Sequence, residues 1–305
     1  MTCYHPLIAS RSKHTSYAKS GKPYIFIFGS AESHPDLYER SQTDENLLVL
    51  PCGQCIGCRL ERSRQWAIRI SQEASLYDHN CFITLTYMDK CCPSSLVLRD
   101  FQLFMKRLRK KFGNGIRFFH CGEYGDLNGR PHYHAALLNF DFPDKKLYYS
   151  RNGFNYYLSE SLSNLWPFGI HLISDLTYDS AGYIARYVLK KITGDAAVDA
   201  YKDKASPYVT MSRRPGIGTP WIEKYLENVY NHDRVVVKGH ECLPPRFYDE
   251  VLKATYPEWF DSIKEQRAAR FADDLNNTLQ RLNVREEVTV RKVDFFMPRK
   301  LDSIL

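Results

Sequence analysis

The stretch Arg130-Pro131-His132-Tyr133-His134-Ala135-Ala136-Leu137 constrains this chain more than any other. It is short, becomes apolar after its histidines, and follows a turn-rich Gly125-Asp126-Leu127-Asn128-Gly129. That pattern predicts a β-strand. Side chains alternate between the two faces of a strand, so His132 and His134 project together while Tyr133 and Ala135 face the other way. Two imidazoles side by side on a rigid strand form half of a divalent-metal site. A pair of core histidines satisfied by hydrogen bonds leaves the same pattern, so the rest of the chain must decide.

Residues 116–124 predict the partner strand of a hairpin. If residue 123 pairs with 132, Glu123 shares the histidine face. A slip of one residue turns Glu123 away and brings His120 round instead. Both registers are open at this point. Two neutral imidazoles and one further ligand leave coordination positions free, the arrangement of a catalytic rather than a closed structural site. Mixed nitrogen and oxygen donors suit Mg2+ or Mn2+.

Around the hairpin, residues 81–87 alternate and predict a strand. Asp100 caps a helix through Phe112, with Phe101, Phe104, Met105 and Leu108 inward. A helix at 155–166, a strand at 169–176 and a helix at 179–192 complete the order β-α-β-β-α-β-α. The expected fold is α+β, a mostly antiparallel ferredoxin-like sheet with helices on one face. Upstream lie a strand at 24–28, a polar loop at 30–46 and a basic helix at 59–77. Downstream, Pro207 to Pro220 is rich in Arg, Gly and Pro. A helix at 220–231, a strand at 234–238 and a long polar helix at 257–283 follow. The chain thus divides into an N-terminal cysteine-rich region (1–78), a central domain (79–194) and a C-terminal extension (195–305).

Cys52, Cys55 and Cys58 are spaced three apart in Pro51-Cys52-Gly53-Gln54-Cys55-Ile56-Gly57-Cys58. Cys-x-x-Cys spacing lets thiolates converge on one tetrahedral ion, and Zn2+ in a structural role is the expectation. The fourth ligand must come from elsewhere, Cys3 first and His5 next. A redox pair or an iron–sulfur cluster would use similar spacing, though the fourth cysteine of the ferredoxin run is missing. The first residues lack the apolar core of a signal peptide, so the nine cysteines are read as intracellular thiols or metal ligands rather than disulfides. No apolar run approaches the roughly 20 residues of a membrane span, so no membrane partner is expected.

The other half of the candidate chemistry is Tyr183-Ile184-Ala185-Arg186-Tyr187-Val188-Leu189-Lys190. On a helix Tyr183 and Tyr187 are one turn apart on one face, and Lys190 lies a turn further. A phenol is a poor nucleophile at its resting pKa of about 10. Beside Arg186, Lys190 and a divalent cation its phenolate becomes accessible. A net charge of +7 and 14% aromatic residues suit a single-stranded nucleic acid, whose bases stack on rings.

Taken in order, Phe82-Ile83-Thr84-Leu85-Thr86-Tyr87, His132-Tyr133-His134 and Tyr183-x-x-x-Tyr187-x-x-Lys190 resemble the three motifs of HUH-type rolling-circle replication initiators. The cysteine knuckle, Gly122-Glu123-Tyr124-Gly125 and Met211-Ser212-Arg213-Arg214-Pro215-Gly216-Ile217-Gly218 look like the initiators of Microviridae phages, gokushoviruses especially. The resemblance runs to about residue 220. It implies nicking of single-stranded origin DNA, a covalent 5′-phosphotyrosine and religation. His132, His134 and Glu123 would be ligands of Mg2+ or Mn2+, and Tyr183 and Tyr187 nucleophiles. The host helicase and replication machinery would be partners, and the host bacterial cytoplasm the compartment. Two alternatives stand beside it: a plasmid relaxase or transposase of the same chemistry, and a non-catalytic zinc-containing nucleic-acid-binding protein.

Overall fold

The computed structural model describes residues 3–11, 24–125, 129–151, 153–190, 201, 204–271 and 275–296. In chain order the elements are β1 (Leu7–Arg11), β2 (Ile25–Ser30), α1 (Pro35–Arg40), β3 (Leu47–Leu50), α2 (Ile56–Ala74), β4 (Asn80–Thr86), α3 (Leu98–Phe112), β5 (Arg117–Tyr124) and β6 (Pro131–Leu138). Then come β7 (Lys146–Arg151), β8 (Phe154–Leu158), α4 (Glu160–Leu165), β9 (His171–Asp175), α5 (Tyr178–Lys190), β10 (Tyr208–Met211) and α6 (Thr219–Tyr230). The last are β11 (Val235–Val237), β12 (His240–Cys242), α7 (Arg246–Thr255), α8 (Pro257–Phe271) and α9 (Leu279–Phe296). The chain groups into two bodies, residues 1–62 with 268–305, and residues 63–267.

The second body is built on a seven-stranded sheet in the order β10-β5-β6-β4-β9-β8-β7, every neighbouring pair antiparallel. The α+β, mostly antiparallel plan read from the sequence is therefore the fold. β4 and β6 lie at its centre and are covered on both faces, which is why their sequences read as nearly unbroken apolar runs. On one face Cys81, Ile83, Leu85, Tyr133, Ala135 and Leu137 pack against Phe101, Phe104, Met105 and Leu108 of α3 and Leu162 and Leu165 of α4. The opposite face carries the histidines and is covered as well. Phe82, Phe119, Cys121 and Ala136 meet Ala67 and Ile70 of α2 and Ala181, Tyr183 and Ile184 of α5. The helices expected on one face are α3 and α4; α2 and α5 form a second layer.

Several boundaries differ from expectation for local reasons. The helix expected at 155–166 begins only at Glu160. Phe154 to Leu158 is an aromatic strand, and Tyr156 stacks on Tyr149 of β7 with centroids 4.7 Å apart. Ser159 then starts the helix, its hydroxyl accepting from Leu162 N–H at 3.1 Å and donating to Asp144 at 2.6 Å. The polar 30–46 stretch holds the short α1, opened by Pro35. The long helix expected at 257–283 is two helices with a 3-10 turn, Leu275–Asn277, ahead of the second. Thr278 caps α9 by accepting from Arg281 N–H at 3.3 Å. The Arg-Gly-Pro loop contributes β10 to the sheet edge. The loop is then pinned by the buried Glu73 carboxylate, which accepts from Gly218 N–H and pairs with Arg117. Gly218 sits at φ +86°, a conformation that favours glycine.

Arg267 closes the second body by bridging two carboxylates. It donates to both oxygens of Asp233 and, through both terminal nitrogens, to Asp249 at 2.9 Å. Asp249 also accepts from the Tyr230 hydroxyl at 2.8 Å. Removing the guanidinium leaves two largely buried carboxylates facing one another. Arg267→Ala is expected to cost about 3 kcal/mol, read as a lower urea midpoint, and Arg267→Lys to recover only part because its ammonium lacks the planar fork.

Candidate active site

The hairpin register decides the third ligand. Gly125 N–H donates to Arg130 O at 2.9 Å and closes the turn. Tyr124 thereby pairs with Pro131, Glu123 with His132 and Cys121 with His134. Glu123 lies on the histidine face. His120 lies on the other, buried and stacked on Phe101 with centroids 3.4 Å apart, its Nδ1 2.9 Å from Thr210 Oγ1. Burial holds the His120 imidazole well below the usual histidine range, so it is a neutral core residue.

One ligand atom from each of Glu123, His132 and His134 lies within 4.8 Å of the others. His132 Nε2 is 2.9 Å, and His134 Nε2 3.1 Å, from the same Glu123 oxygen. All three residues are buried. Burial opposes ionisation of Glu123, but the two imidazoles prevail and hold its carboxyl below the usual range.

The far nitrogens of the two rings are also held. His132 Nδ1 is 3.1 Å from Arg130 O, a carbonyl that can only accept, so Nδ1 carries the proton. In a neutral His132 the lone pair on Nε2 then faces a carboxylate oxygen. Two acceptors at 2.9 Å repel unless a proton or a cation lies between them. His134 Nδ1 meets Thr84 Oγ1 at 2.9 Å, the register partner across β4. Backbone or hydroxyl groups that fix the outer nitrogen while the inner one points at a shared centre are what metal-ligating histidines require. The donor set therefore fits a hard or borderline divalent cation. Thr84 is the functional residue that motif reading passed over. Its signal was a polar residue on the inward face of an otherwise apolar strand.

Tyr183 completes what is visible of the site. It lies on α5, packed over the histidine face, with only 8% of its surface exposed. Its ring is edge-on to His134, centroids 5.2 Å apart, and 6.3 Å from Phe82. Close approach of α2 to α5 is permitted by small residues: a Cβ on Gly182 would stand 3.8 Å from that of Ala67, and Ser63 donates to Gly182 O at 3.3 Å. Arg186, Tyr187 and Lys190 occupy the following turns of α5; their side chains lie outside the described residues.

The cysteines gather separately, in the first body. Cys3, Cys52, Cys55 and Cys58 bring their sulfurs within 4.8 Å of one another. His5, the other candidate for fourth place, is engaged elsewhere: Nδ1 is 2.7 Å from Glu32 and Nε2 2.6 Å from Glu286. Although burial pulls the other way, both carboxylates raise its pKa. Among the described residues no helix is long and apolar enough to cross a membrane.

The family model for replication-associated protein ORF2 matches residues 80–192, from β4 through α5. The chain is 38% identical over 225 residues to replication-associated protein VP4 of Bdellovibrio phage phiMH2K, covering 70% of each chain. It is 32% identical over 254 residues to replication-associated protein ORF2 of Spiroplasma virus 4, covering 75% of this chain and 77% of that one. To replication-associated protein ORF4 of Chlamydia phage 1 it is 28% identical, over 73% of this chain and 58% of the other. No solved structure matches.

Proposed function

The chain belongs to the family of phage replication-associated proteins, and we propose that it starts replication by cutting one DNA strand and keeping the cut end on a tyrosine. One observation carries this reading: Glu123, His132 and His134 converge beneath a tyrosine whose ring touches one of the histidines. That is the constellation of a cation-assisted phosphoryl transfer with a side-chain nucleophile.

The residues divide the work as follows. Glu123 and the two Nε2 atoms hold Mg2+ or Mn2+, with Arg130 O and Thr84 keeping the rings in the ligating tautomer. The bound cation supplies Lewis-acid polarisation of the scissile phosphate. Tyr183 presents a phenol oxygen from a rigid, largely buried ring, so little orientational entropy is lost on attack. The Tyr oxygen–phosphorus bond forms, the phosphorus–3′-oxygen bond breaks, the phenol proton is released, and the departing 3′-oxygen takes up a proton. One phosphodiester is exchanged for another, so a free 3′-hydroxyl can reverse the step. Tyr187, one turn along α5, gives the chain a second nucleophile for the transfer that releases a circle.

The test is incubation of the purified chain with single-stranded phage-origin DNA and Mn2+. The expected result is a cut strand and a protein–DNA species that survives denaturing electrophoresis, both abolished by a chelator and restored by Mn2+. DNA binding without cutting at any divalent cation would favour a non-catalytic nucleic-acid-binding protein instead.

A further inference from the structure

The cysteine knuckle takes no part in this chemistry. Its loop folds back at Gly53, where φ is +76°, and α2 begins at Ile56, so Cys52, Cys55 and Cys58 lie along one tight turn. Cys3, just ahead of β1, completes the set. The Cys3 and Cys55 sulfurs are 3.9 Å apart. A tetrahedron of four sulfurs about 2.3 Å from a central zinc has edges of about 3.8 Å. A disulfide requires about 2.05 Å, and all nine cysteines are free. Backbone N–H groups also aim at the sulfurs. Cys52 N–H donates to Cys3 Sγ at 3.2 Å, Cys55 N–H to Cys52 Sγ at 3.3 Å, and Tyr4 and Cys58 N–H to Cys55 Sγ at 3.3 and 3.5 Å. Such donors offset the charge that accumulates on clustered thiolates.

We propose that Cys3, Cys52, Cys55 and Cys58 form a closed tetrathiolate zinc site that supplies the core of the first body. The apolar core there is small. Besides the cysteines its buried members are Tyr4, Ile8, Ala31, Tyr38 and Leu282. The site joins the segment before β1 to the turn between β3 and α2. α9 packs on the same cluster through Leu282, and the Tyr4 hydroxyl lies 2.7 Å from that of Thr289. With so little apolar surface buried, the metal–thiolate bonds carry folding free energy directly. The two candidate centres also sort their ions by donor type. Four soft sulfurs reject Mg2+ and Mn2+, whereas a carboxylate and two imidazoles accept them.

Metal analysis of the purified full-length chain should find one zinc, and X-ray absorption at the zinc edge four sulfurs at about 2.3 Å. Cys58→Ser should lose the zinc, and Cys91→Ser, an exposed thiol outside the cluster, should keep it. Because a cysteine variant can fail to fold, wild type supplies a second readout. Titration with a mercurial should release the zinc, and hydrogen exchange should then rise across residues 3–11, 24–62 and 275–296. Folded wild type without stoichiometric zinc, iron in its place, a shell containing nitrogen or oxygen, or zinc loss with unchanged exchange in the first body would overturn the proposal.

Discussion

Replacing Tyr183 and Tyr187 together by Phe removes the covalent protein–DNA product, with the cutting rate falling on the order of 10^4-fold or more. The size follows from the role. A phenol oxygen that becomes part of the product's covalent bond has no substitute in a benzene ring, unlike a group that only polarises or positions. The change is otherwise mild. Phe keeps the ring that Tyr183 packs against His134 and Phe82, so α5 retains its seat over the sheet. DNA binding should be nearly unchanged, as judged by a gel-shift titration at fixed salt. Each single variant should retain one transfer: cutting without release of a closed circle, or a shift of the adduct to the remaining tyrosine. Tyr178→Phe, at the start of the same helix, should leave the adduct intact. Peptide mapping of the wild-type adduct identifies the joined residue. A covalent product formed by the double variant would place the nucleophile elsewhere and end the tyrosine reading.

Most of the central sheet was legible because its periodicities are strong. β4, β5 and β6 alternate or run apolar between turn residues, and α3 shows one apolar stripe ended by Gly113. The missed elements carry weaker signals. β7 is an exposed edge strand with no buried residue, and α1 is a six-residue helix that propensity alone does not favour. The sequence brought His132 and His134 to one face, since that needs only the two-residue repeat of a strand. The choice between Glu123 and His120 was beyond it. That choice depends on where the hairpin turn closes, a single hydrogen bond from Gly125 to Arg130. The partner of His134, Thr84, depends on which strand lies beside β6. Strand order is a property of the whole sheet rather than of any one segment.

Glu123 carries the other large effect. Glu123→Gln keeps the size of the side chain and replaces the only anionic donor of the triad with a neutral amide. Two imidazoles alone hold a hard cation weakly. Cutting should therefore fall by about 10^3-fold or more at physiological Mg2+, an order expected when a charge-stabilising group is lost. Mn2+ binding, followed by the paramagnetic signal of the free ion, should become undetectable. Thr84→Val provides the graded comparison. It removes only the group that fixes the His134 tautomer, and such outer partners are worth about 10- to 100-fold in metal affinity. For this variant the Mn2+ titration should move to higher concentration by that factor, while the rate at saturating Mn2+ approaches wild type. Glu123→Gln should show no such rescue. The two together separate a residue that holds the ion from one that aims a ligand. Full activity of Glu123→Gln at low metal would remove the carboxylate from the site and leave the buried imidazole pair without its catalytic explanation.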